Sequence, residues 1–425
     1  MLSLRQIWRR LAEHPLARVG PGLITGAADD DPSGIATYSQ AGAQFGLNML
    51  WTMLVSYPLM AAVQSICARI GRVTGSGLAV NIKQAFPAPV LFGAVGLLLV
   101  ANIINIAADV ATMGDVLALM VGGNPHLLTV ALVSVSLTTQ VLVPYHRYVK
   151  LLKWLTLSLL SYAAVLFTVH VPWSLVALRT VAPRLAFDAA TATVVVGVFG
   201  TTISPYLFFW QCAEEVEELR AKREDRALIE DAAAAPRELR RIRWDTWSGM
   251  LYSNVTAFFI ILATAVTLNA AGVTDIQTAA QAAQALRPLA GDFAFYLFSL
   301  GILGVGAIAV PVLAGSAAYA IAEAMDWPGS LASRARDARG FYSVIAASMI
   351  AGLGLGFTSI NPIKALFYSA VINGVVAVPL TVLVVLLGSR ASVLGAYTAS
   401  RSSLALGWIT ALLMACATLG MLLPG

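Results

Sequence analysis

Long apolar stretches follow one another along almost the whole chain, and only short polar segments separate them. A helix needs about 20 predominantly apolar residues to cross the hydrocarbon core of a bilayer, and the pattern predicts eleven such helices. No polar segment is long enough to fold alone, so we expect one all-α polytopic membrane domain over residues 1–425. The predicted spans are 20–43, 47–68, 90–119, 127–145, 151–171, 189–212, 247–270, 293–324, 340–357, 362–388 and 404–423.

The first predicted span is interrupted near its middle by three consecutive carboxylates, Asp29, Asp30 and Asp31. Pro32 follows at once; it disfavours helical backbone at Asp31 and removes one backbone donor. We therefore expect two half-helices with the acids at the break. A charge at mid-bilayer costs roughly 3 kcal/mol or more, and open backbone there is tolerated only where it lines a cavity. The break thus indicates a cation site; a surface loop mistaken for a span is the alternative.

The sixth predicted span is broken in the same way by Pro205, with a glycine and several hydroxyl residues just before it. The chain crosses the membrane five times between Pro32 and Pro205, so a second block of five helices must be inverted relative to the first. Inverted repeats with a midplane site between two discontinuous helices are typical of secondary transporters. We expect the repeats at 20–171 and 189–388, with an eleventh helix at 404–423.

Composition and charge agree with a membrane protein. Hydrophobic residues make up 58% of the chain and charged residues 12%. The net charge of +5 could suggest a nucleic-acid partner. However, with a cytoplasmic N-terminus at 1–19, the predicted inner loops carry 23 of the 27 Lys and Arg residues. This positive-inside bias predicts a multi-pass protein of the cell (inner) membrane, with an extracytoplasmic C-terminus and no nucleic-acid partner. Residues 1–18 are basic and lack an apolar core, so we expect no cleaved signal peptide.

Polar residues inside other predicted spans add candidates for the site. Asn102, Asn105 and Asp109 share one helical face of the third span. Asp109 is a candidate for a cation pathway, and interhelical hydrogen bonding is the alternative for all three. Asn373 in the tenth span has the same two interpretations. The charged segment 214–243 is predicted to be one solvated cytoplasmic helix, with a regulatory ion site as the alternative.

Short motifs in these spans resemble those of the natural-resistance-associated macrophage protein (Nramp) family of divalent metal transporters. Gly20-Pro-Gly-Leu looks like the opening of that family's first span, and Asp31-Pro-Ser-Gly34 stands in the place of its Asp-Pro-Gly-Asn motif. Ser204-Pro-Tyr-Leu207 stands in the place of its Met-Pro-His-Asn motif, and Ala108-Asp-Val-Ala111 resembles its third-span acidic motif. The resemblance covers nearly the whole chain. It implies a LeuT-type fold of two inverted five-helix repeats, with broken helices 1 and 6 and an eleventh helix.

Typical members of that family hold the metal with the Asp and Asn of the first motif, the Met sulfur of the second, and a carbonyl three residues before the Met. Here Asp31 is kept, Gly34 replaces the Asn, Ser204 replaces the Met, and Thr201 stands at the carbonyl position. This set resembles the Nramp-related magnesium transporter branch. The resemblance implies a metal site formed by Asp31, Gly34, Thr201, Ser204 and Ala28, with Asp30, Tyr206, Asp109, Thr112 and Asn373 around it.

The substitutions change the chemistry expected of the site. A thioether helps to admit softer metals, and a hydroxyl in its place leaves only oxygen donors. Mg²⁺ prefers octahedral oxygen ligands at roughly 2.1 Å and keeps several of its waters. We expect an enlarged, partly hydrated cavity that carries Mg²⁺ and Mn²⁺ into the cytoplasm. We also expect Asp31 to face this site and Asp29 or Asp30 to line the approach.

Thr112 and Tyr206 stand where typical members have a Glu and a His near the proton route, so we predict uptake without proton coupling. A proton-coupled Mn²⁺/Fe²⁺ transporter, a sodium-coupled symporter of small organic solutes and a non-transporting sensor are the alternatives. Three carboxylates at the break argue against an anionic substrate. No nucleophile–base pair or cofactor fingerprint indicates an enzyme. We expect divalent cations and the lipid bilayer as partners, with no cofactor and no obligatory protein partner.

Overall fold

The computed structural model describes residues 20–143, 159–186, 188–221, 226–357 and 360–422, and within these ranges it contains helices but no β-strand. The helices in chain order are α1 (Pro21–Asp29), α2 (Pro32–Phe45), α3 (Trp51–Thr74), α4 (Leu78–Ala85), α5 (Ala88–Val121), α6 (Pro125–Leu142), α7 (Leu160–Val165), α8 (Trp173–Val181), α9 (Ala189–Thr202), α10 (Pro205–Ala221), α11 (Ala235–Thr264), α12 (Ala279–Ala283), α13 (Arg287–Ala290), α14 (Ala294–Ala324), α15 (Arg339–Gly356), α16 (Pro362–Ser389), α17 (Ala391–Leu394) and α18 (Arg401–Gly420).

Nine helical segments of the described chain are long and apolar enough to cross a membrane. They coincide with nine of the predicted spans, the second to the fourth and the sixth to the eleventh. The first span is not among them because its break divides it into α1, of 9 residues, and α2, of 14 residues. The predicted fifth span begins in 144–158, outside the described residues, and α7 lies in its second half.

Both predicted helix breaks are present. The first lies between Asp29, the last residue of α1, and Pro32, the first residue of α2. The second lies between Thr202, which ends α9, and Pro205, which begins α10. A proline is well tolerated at the start of a helix, where its missing N–H would have no partner within the helix. The same residue type therefore ends one half-helix and begins the next at both sites.

Burial separates the helices into an inner group and a peripheral group. Helices α9, α10 and α14 lie innermost, whereas α6 and α18 lie at the periphery. Large apolar side chains on the peripheral helices are exposed, for example Leu142 by 73% and Leu412 by 65%. Such surfaces are stable when lipid is the surrounding solvent, and the backbone groups of each helix are satisfied internally. The inner helices α9 and α10 carry Thr201 and Tyr206, two of the polar residues described below.

Helix α1 packs unusually closely against α11. A side-chain carbon at Gly22 would lie 2.6 Å from the backbone nitrogen of Thr246, and one at Gly26 would overlap the backbone carbonyl of Gly249. Glycines spaced four residues apart lie on one face of a helix and allow two backbones to approach. This contact directs the C-terminal end of α1 toward Ser253, one turn further along α11 than Gly249.

The prediction of one solvated helix over 214–243 is wrong. Helix α10 ends at Ala221 and α11 begins at Ala235, with turns and irregular backbone over the described residues 226–234. Pro236 lies in the first turn of the new helix, where a proline is tolerated, which explains the interruption. The backbone nitrogens of Leu228 and Ile229 donate to the carbonyls of Arg72 and Val73, which fixes the connecting segment against the end of α3.

Several charged residues of 214–243 form buried ion pairs that the charge pattern did not predict. Arg241 contacts Glu215 at 2.5 Å, Glu238 at 2.9 Å and Glu218 at 3.2 Å. Arg72, only 1% exposed, contacts Glu238 at 3.1 Å. These contacts join α3, α10 and α11, so Glu215, Glu218 and Glu238 are structural partners of two arginines.

Candidate metal site

Asp31 occupies the first helix break as the N-cap residue of α2. Its backbone is extended, with φ −75° and ψ 171°. Its Oδ1 accepts hydrogen bonds from the backbone nitrogen of Gly34 at 2.7 Å and from the hydroxyl of Ser33 at 2.6 Å. The positive end of the α2 dipole favours a carboxylate at this position. The local sequence therefore holds a negative charge inside the protein through the same bonds that begin the helix.

The other oxygen of Asp31 faces residues from two further helices. Its Oδ2 accepts a hydrogen bond from the side-chain amide of Asn105 on α5 at 3.0 Å, and the Tyr206 hydroxyl on α10 lies 3.5 Å away. The same Tyr206 hydroxyl donates to the carbonyl oxygen of Ala28 at 3.2 Å. Tyr206 thus joins both sides of the first break and brings Asp31 and Ala28 together.

The second helix break brings hydroxyl and carbonyl oxygens. The Ser204 hydroxyl lies 2.8 Å from the carbonyls of both Gly200 and Thr201, to which it donates. Ser204 and Thr201 are each 1% exposed. The Ser204 hydrogen is directed at the end of α9, and neither of these bonds uses the lone pairs of its oxygen. The second break therefore offers neutral oxygen ligands where a thioether would offer sulfur.

The two breaks meet at Gly34. A side-chain carbon built at Gly34 would lie 2.9 Å from Oγ1 of Thr201 and 3.4 Å from Oδ1 of Asp31. The expectation that the smaller residue at position 34 enlarges the cavity is therefore wrong at this point. The Thr201 hydroxyl occupies the space next to the α carbon of Gly34. A larger residue at position 34 would have to displace the Thr201 hydroxyl, which brings the second break next to the first.

Asn105 connects Asp31 with two other polar residues. Its side-chain nitrogen lies 3.3 Å from Oδ2 of Asp109, and its side-chain oxygen accepts a hydrogen bond from the Asn373 amide at 3.1 Å. Asp109 and Asn373 are buried, at 0% and 1% exposure. Thr112 lies on α5 close to Asp109 in sequence, but its hydroxyl donates to the carbonyl of Ala108 at 2.9 Å. Asp109 and Asn373 thus join the site through Asn105, whereas no contact of the Thr112 side chain reaches it.

Asp29 and Asp30 form their side-chain hydrogen bonds with α11, whereas those of Asp31 to other helices are with α5 and α10. Both carboxylates are within hydrogen-bond distance of the Ser253 hydroxyl on α11, Asp30 at 3.0 Å. They are 0% and 2% exposed. Asp30, expected beside the Asp31 cavity, therefore contacts α11 together with Asp29.

The sequence did not indicate the contacts that two residues, Asn105 and Ser253, make with the three aspartates. Asn105 precedes Asp109 by one helical turn, so the signal for it was its position on the same helical face. Ser253 carried no signal, because a serine within an apolar helix is common and no spacing marks it. Its role depends on the close packing of α1 on α11, which the sequence does not display.

The site differs from a preformed metal cage. Among the described residues, no three His, Cys, Asp or Glu side chains converge on one point. Asp31 instead contributes one carboxylate, next to the Tyr206 hydroxyl and, across Gly34, the Thr201 hydroxyl of the second break. Oxygen donors of this kind suit hard divalent cations, and a small number of protein ligands leaves places for water.

Comparison with known proteins agrees with this architecture. A family model described as "Natural resistance-associated macrophage protein-like" matches residues 22–424. A divalent metal cation transporter MntH of Acidiphilium cryptum is 27% identical over 406 residues, which cover 93% of this chain and 86% of that protein. The protein of the same name from Aeromonas hydrophila is 25% identical over 307 residues, covering 71% and 72% of the two chains.

Two solved structures have the same fold. The manganese transporter of Eremococcus coleocola superimposes with a TM-score of 0.71 at 17% identity, covering 99% of this chain and 88% of that one. The nucleobase-cation-symport-1 family transporter Mhp1 superimposes with a TM-score of 0.58 at 14% identity, covering 95% and 92%. The predicted all-α, LeuT-type fold is thereby confirmed. Together with the family match over nearly its full length, this shows that the chain belongs to the natural resistance-associated macrophage protein family.

Proposed function

We propose that this protein carries divalent metal cations, Mg²⁺ and Mn²⁺ in particular, across the membrane and into the cytoplasm. The observation that carries the proposal is the position of Asp31: a buried carboxylate at a helix break, opposite a second break that presents only oxygen atoms. A buried carboxylate needs a compensating partner, and no Lys or Arg of the described residues forms an ion pair with Asp31. A transported cation supplies that partner.

The comparisons support the class of substrate. The relatives from Acidiphilium cryptum and Aeromonas hydrophila bear the name of divalent metal cation transporters, and the Eremococcus coleocola structure is of a manganese transporter. Divalent-cation transport by this chain agrees with the buried position of Asp31 at a helix break. It also fits discontinuous helices, whose free backbone groups can ligate ions in a membrane.

The preference for hard cations follows from the donor atoms. We assign Asp31, the Ala28 carbonyl, Thr201 and Ser204 as the ligands, with Gly34 allowing the close approach of the two breaks. All of these donors are oxygen, and the Met expected in typical members is absent. Mg²⁺ and Mn²⁺ accept such donors together with water, whereas a site without sulfur gives Cd²⁺ no advantage.

The polar contacts of the site support uptake without proton coupling. Asp31 and Asp109 are linked through the amide nitrogen of Asn105, which donates to both and accepts from neither. The Thr112 hydroxyl is directed at its own helix. An amide nitrogen is not titratable, so this contact is a poor proton relay between the two carboxylates.

An ion-competition series in proteoliposomes tests the proposal. The full chain is reconstituted with a metal-sensitive dye inside, and Mn²⁺ entry is measured alone and with Mg²⁺, Ca²⁺ or Cd²⁺ in excess outside. We expect Mn²⁺ entry that Mg²⁺ competes for. Absence of metal entry, together with sodium-dependent uptake of amino acids in the same preparation, would favour the symporter alternative.

A further inference from the structure

We propose a second cation-binding subsite, formed by Asp29, Asp30 and Ser253, which takes a partly hydrated divalent cation next to the Asp31 site. It lies between α1 and α11, whereas Asp31 faces α5 and α10. The inference rests on the proposed function, because it assumes that the protein encounters divalent cations. It extends that function to a second position for the cation along its path.

The hydrogen bonding at this subsite is incomplete. The Ser253 hydroxyl has one hydrogen, yet it is the hydrogen-bond partner of both carboxylates. One carboxylate oxygen therefore faces an oxygen without a proton between them. In addition, Oδ1 of Asp29 and Oδ2 of Asp30 are buried and have no hydrogen-bond partner. Orphaned carboxylate oxygens are costly inside a protein, and a bound cation with its waters would satisfy them.

The helix geometry adds to the negative potential. Asp29 is the last residue of α1, and Asp30 follows it as the C-cap. The C-terminal end of a helix carries partial negative charge, which disfavours carboxylates and favours a cation. Asp31 has the opposite environment at the N-terminal end of α2. The two acids on the α1 side therefore need a positive partner more than Asp31 does.

No protein cation supplies that partner within the described structure. The ion pairs of the described residues join arginines and a lysine to acids of the inner loops and helix ends, and none includes Asp29 or Asp30. Asp109 and Asp31 are also buried and unpaired with a cation, so four carboxylates share this region. When all four carboxylates are ionised, a divalent cation at Asp31 balances two of the charges and a second one at Asp29 and Asp30 balances the other two.

The two positions are close enough to exchange a cation. Consecutive α carbons are about 3.8 Å apart, so those of Asp29 and Asp31 are at most about 7.6 Å apart. The Asp29–Asp30 subsite is on the α1 side of the break, which the positive-inside orientation places toward the cytoplasm. A cation that leaves Asp31 in the inward direction would meet these two carboxylates next. We therefore assign the subsite to the exit side of the path.

Mn²⁺ binding to the purified full-length chain tests this inference. Free Mn²⁺ is followed by its electron paramagnetic resonance signal during titration of the detergent-solubilised protein. The wild type is expected to bind two Mn²⁺. The double variant Asp29→Asn/Asp30→Asn is expected to bind one, because the affinity of the Asp29–Asp30 subsite falls about tenfold or more. Asp31→Asn should also retain one. Two bound Mn²⁺ at this separation should broaden each other's signal in the wild type and in neither of these variants.

The control is Asp115→Asn, which changes a carboxylate on α5 that contacts neither site and should leave two Mn²⁺ bound. A wild type that binds one Mn²⁺, unchanged in Asp29→Asn/Asp30→Asn and lost in Asp31→Asn, would overturn the second subsite and leave the proposed function standing. A wild type that binds no Mn²⁺ would contradict both. If the double variant does not fold, the single variants Asp29→Asn and Asp30→Asn are measured instead. Two Mn²⁺ bound with wild-type affinity in both single variants would overturn the subsite.

Discussion

The side-chain nitrogen of Asn105 lies 3.0 Å from Oδ2 of Asp31 and donates a hydrogen bond to it. Both residues are buried, Asn105 at 0% and Asp31 at 1% exposure. Hydrogen bonds to charged groups contribute about 1.5–3 kcal/mol, more than bonds between neutral groups. Asn105 therefore fixes the orientation of the carboxylate and stabilises its charge, although we do not assign it as a metal ligand.

Asn105→Ala is expected to weaken metal uptake without abolishing it. We expect the loss of this hydrogen bond to weaken metal binding by about 1.4 kcal/mol. The KM for Mn²⁺ then rises roughly tenfold, because each tenfold change in affinity corresponds to that free energy. The matched control is Asn102→Ala on the same helix. Asn102 bonds to the Leu313 carbonyl and the Ser316 hydroxyl and does not contact Asp31. Equal KM values for the two variants would contradict a specific role for Asn105.

Gly34→Ala is expected to impair both folding stability and uptake. The new methyl carbon would lie 2.9 Å from Oγ1 of Thr201, so the Thr201 side chain or one of the two helix breaks must shift. Thr201→Ala removes that oxygen, and the double variant should recover part of the lost thermal stability in detergent. Gly354→Ala is the control, because a side chain there meets no atom within 4 Å. Additive effects of Gly34→Ala and Thr201→Ala on the melting temperature would show that the contact is unimportant.

Ser204→Met is expected to shift ion preference toward softer metals. The thioether supplies a soft ligand that favours Cd²⁺ over Mg²⁺. Because Gly34 lacks space for a side chain, we expect the serine substitution alone to show the effect more clearly than a double change with Gly34→Asn. Ser204→Ala is the control: it also loses the bonds to the Gly200 and Thr201 carbonyls but gains no sulfur. The ratio of Cd²⁺ to Mg²⁺ uptake should rise in the first variant only.

Metal entry is expected to proceed without accompanying proton entry. Proteoliposomes with a pH-sensitive dye inside receive Mn²⁺ outside under a potassium-set membrane potential, which contributes about 2.3 kcal/mol per charge per 100 mV. We expect uptake that increases with the potential and leaves the internal pH unchanged. Acidification that requires both Mn²⁺ and an intact Asp109 would show that protons move with the metal and that Asn105 does not prevent the transfer.

The helix breaks could be predicted because their causes are local. Pro32 and Pro205 act on the backbone of their own neighbours, whatever the rest of the chain does. The position of Asp31 at the first break was predictable for the same reason, since it precedes one of these prolines. The periodicity of α5 also placed Asn105 and Asp109 on one face, which the structure turns toward Asp31.

Other features depend on contacts that no local pattern displays. Ser253 meets Asp29 and Asp30 only because Gly22 and Gly26 allow α1 to touch α11. The space at Gly34 was expected to be open, but the Thr201 hydroxyl, from a helix far away in sequence, fills it.

The charged segment 214–243 failed as a prediction for a similar reason. Its composition is that of a solvated helix, yet Glu215 and Glu238 are buried by partners brought from elsewhere in the fold. Arg72 lies on α3, far away in sequence. Burial of an ion pair requires both members, and only the packed structure shows where the second one is.

The uptake of Mn²⁺ by Asp31→Asn in proteoliposomes is the most direct test of the central claim, that Asp31 binds the transported cation. Asparagine removes the charge but can still accept the hydrogen bond from the Gly34 backbone nitrogen and begin α2, so the fold should be retained. Asp115→Asn on α5 is the matched control and should transport as the wild type does. We predict that Asp31→Asn lowers the initial rate of uptake about tenfold or more. A folded Asp31→Asn protein with the wild-type rate would contradict the account.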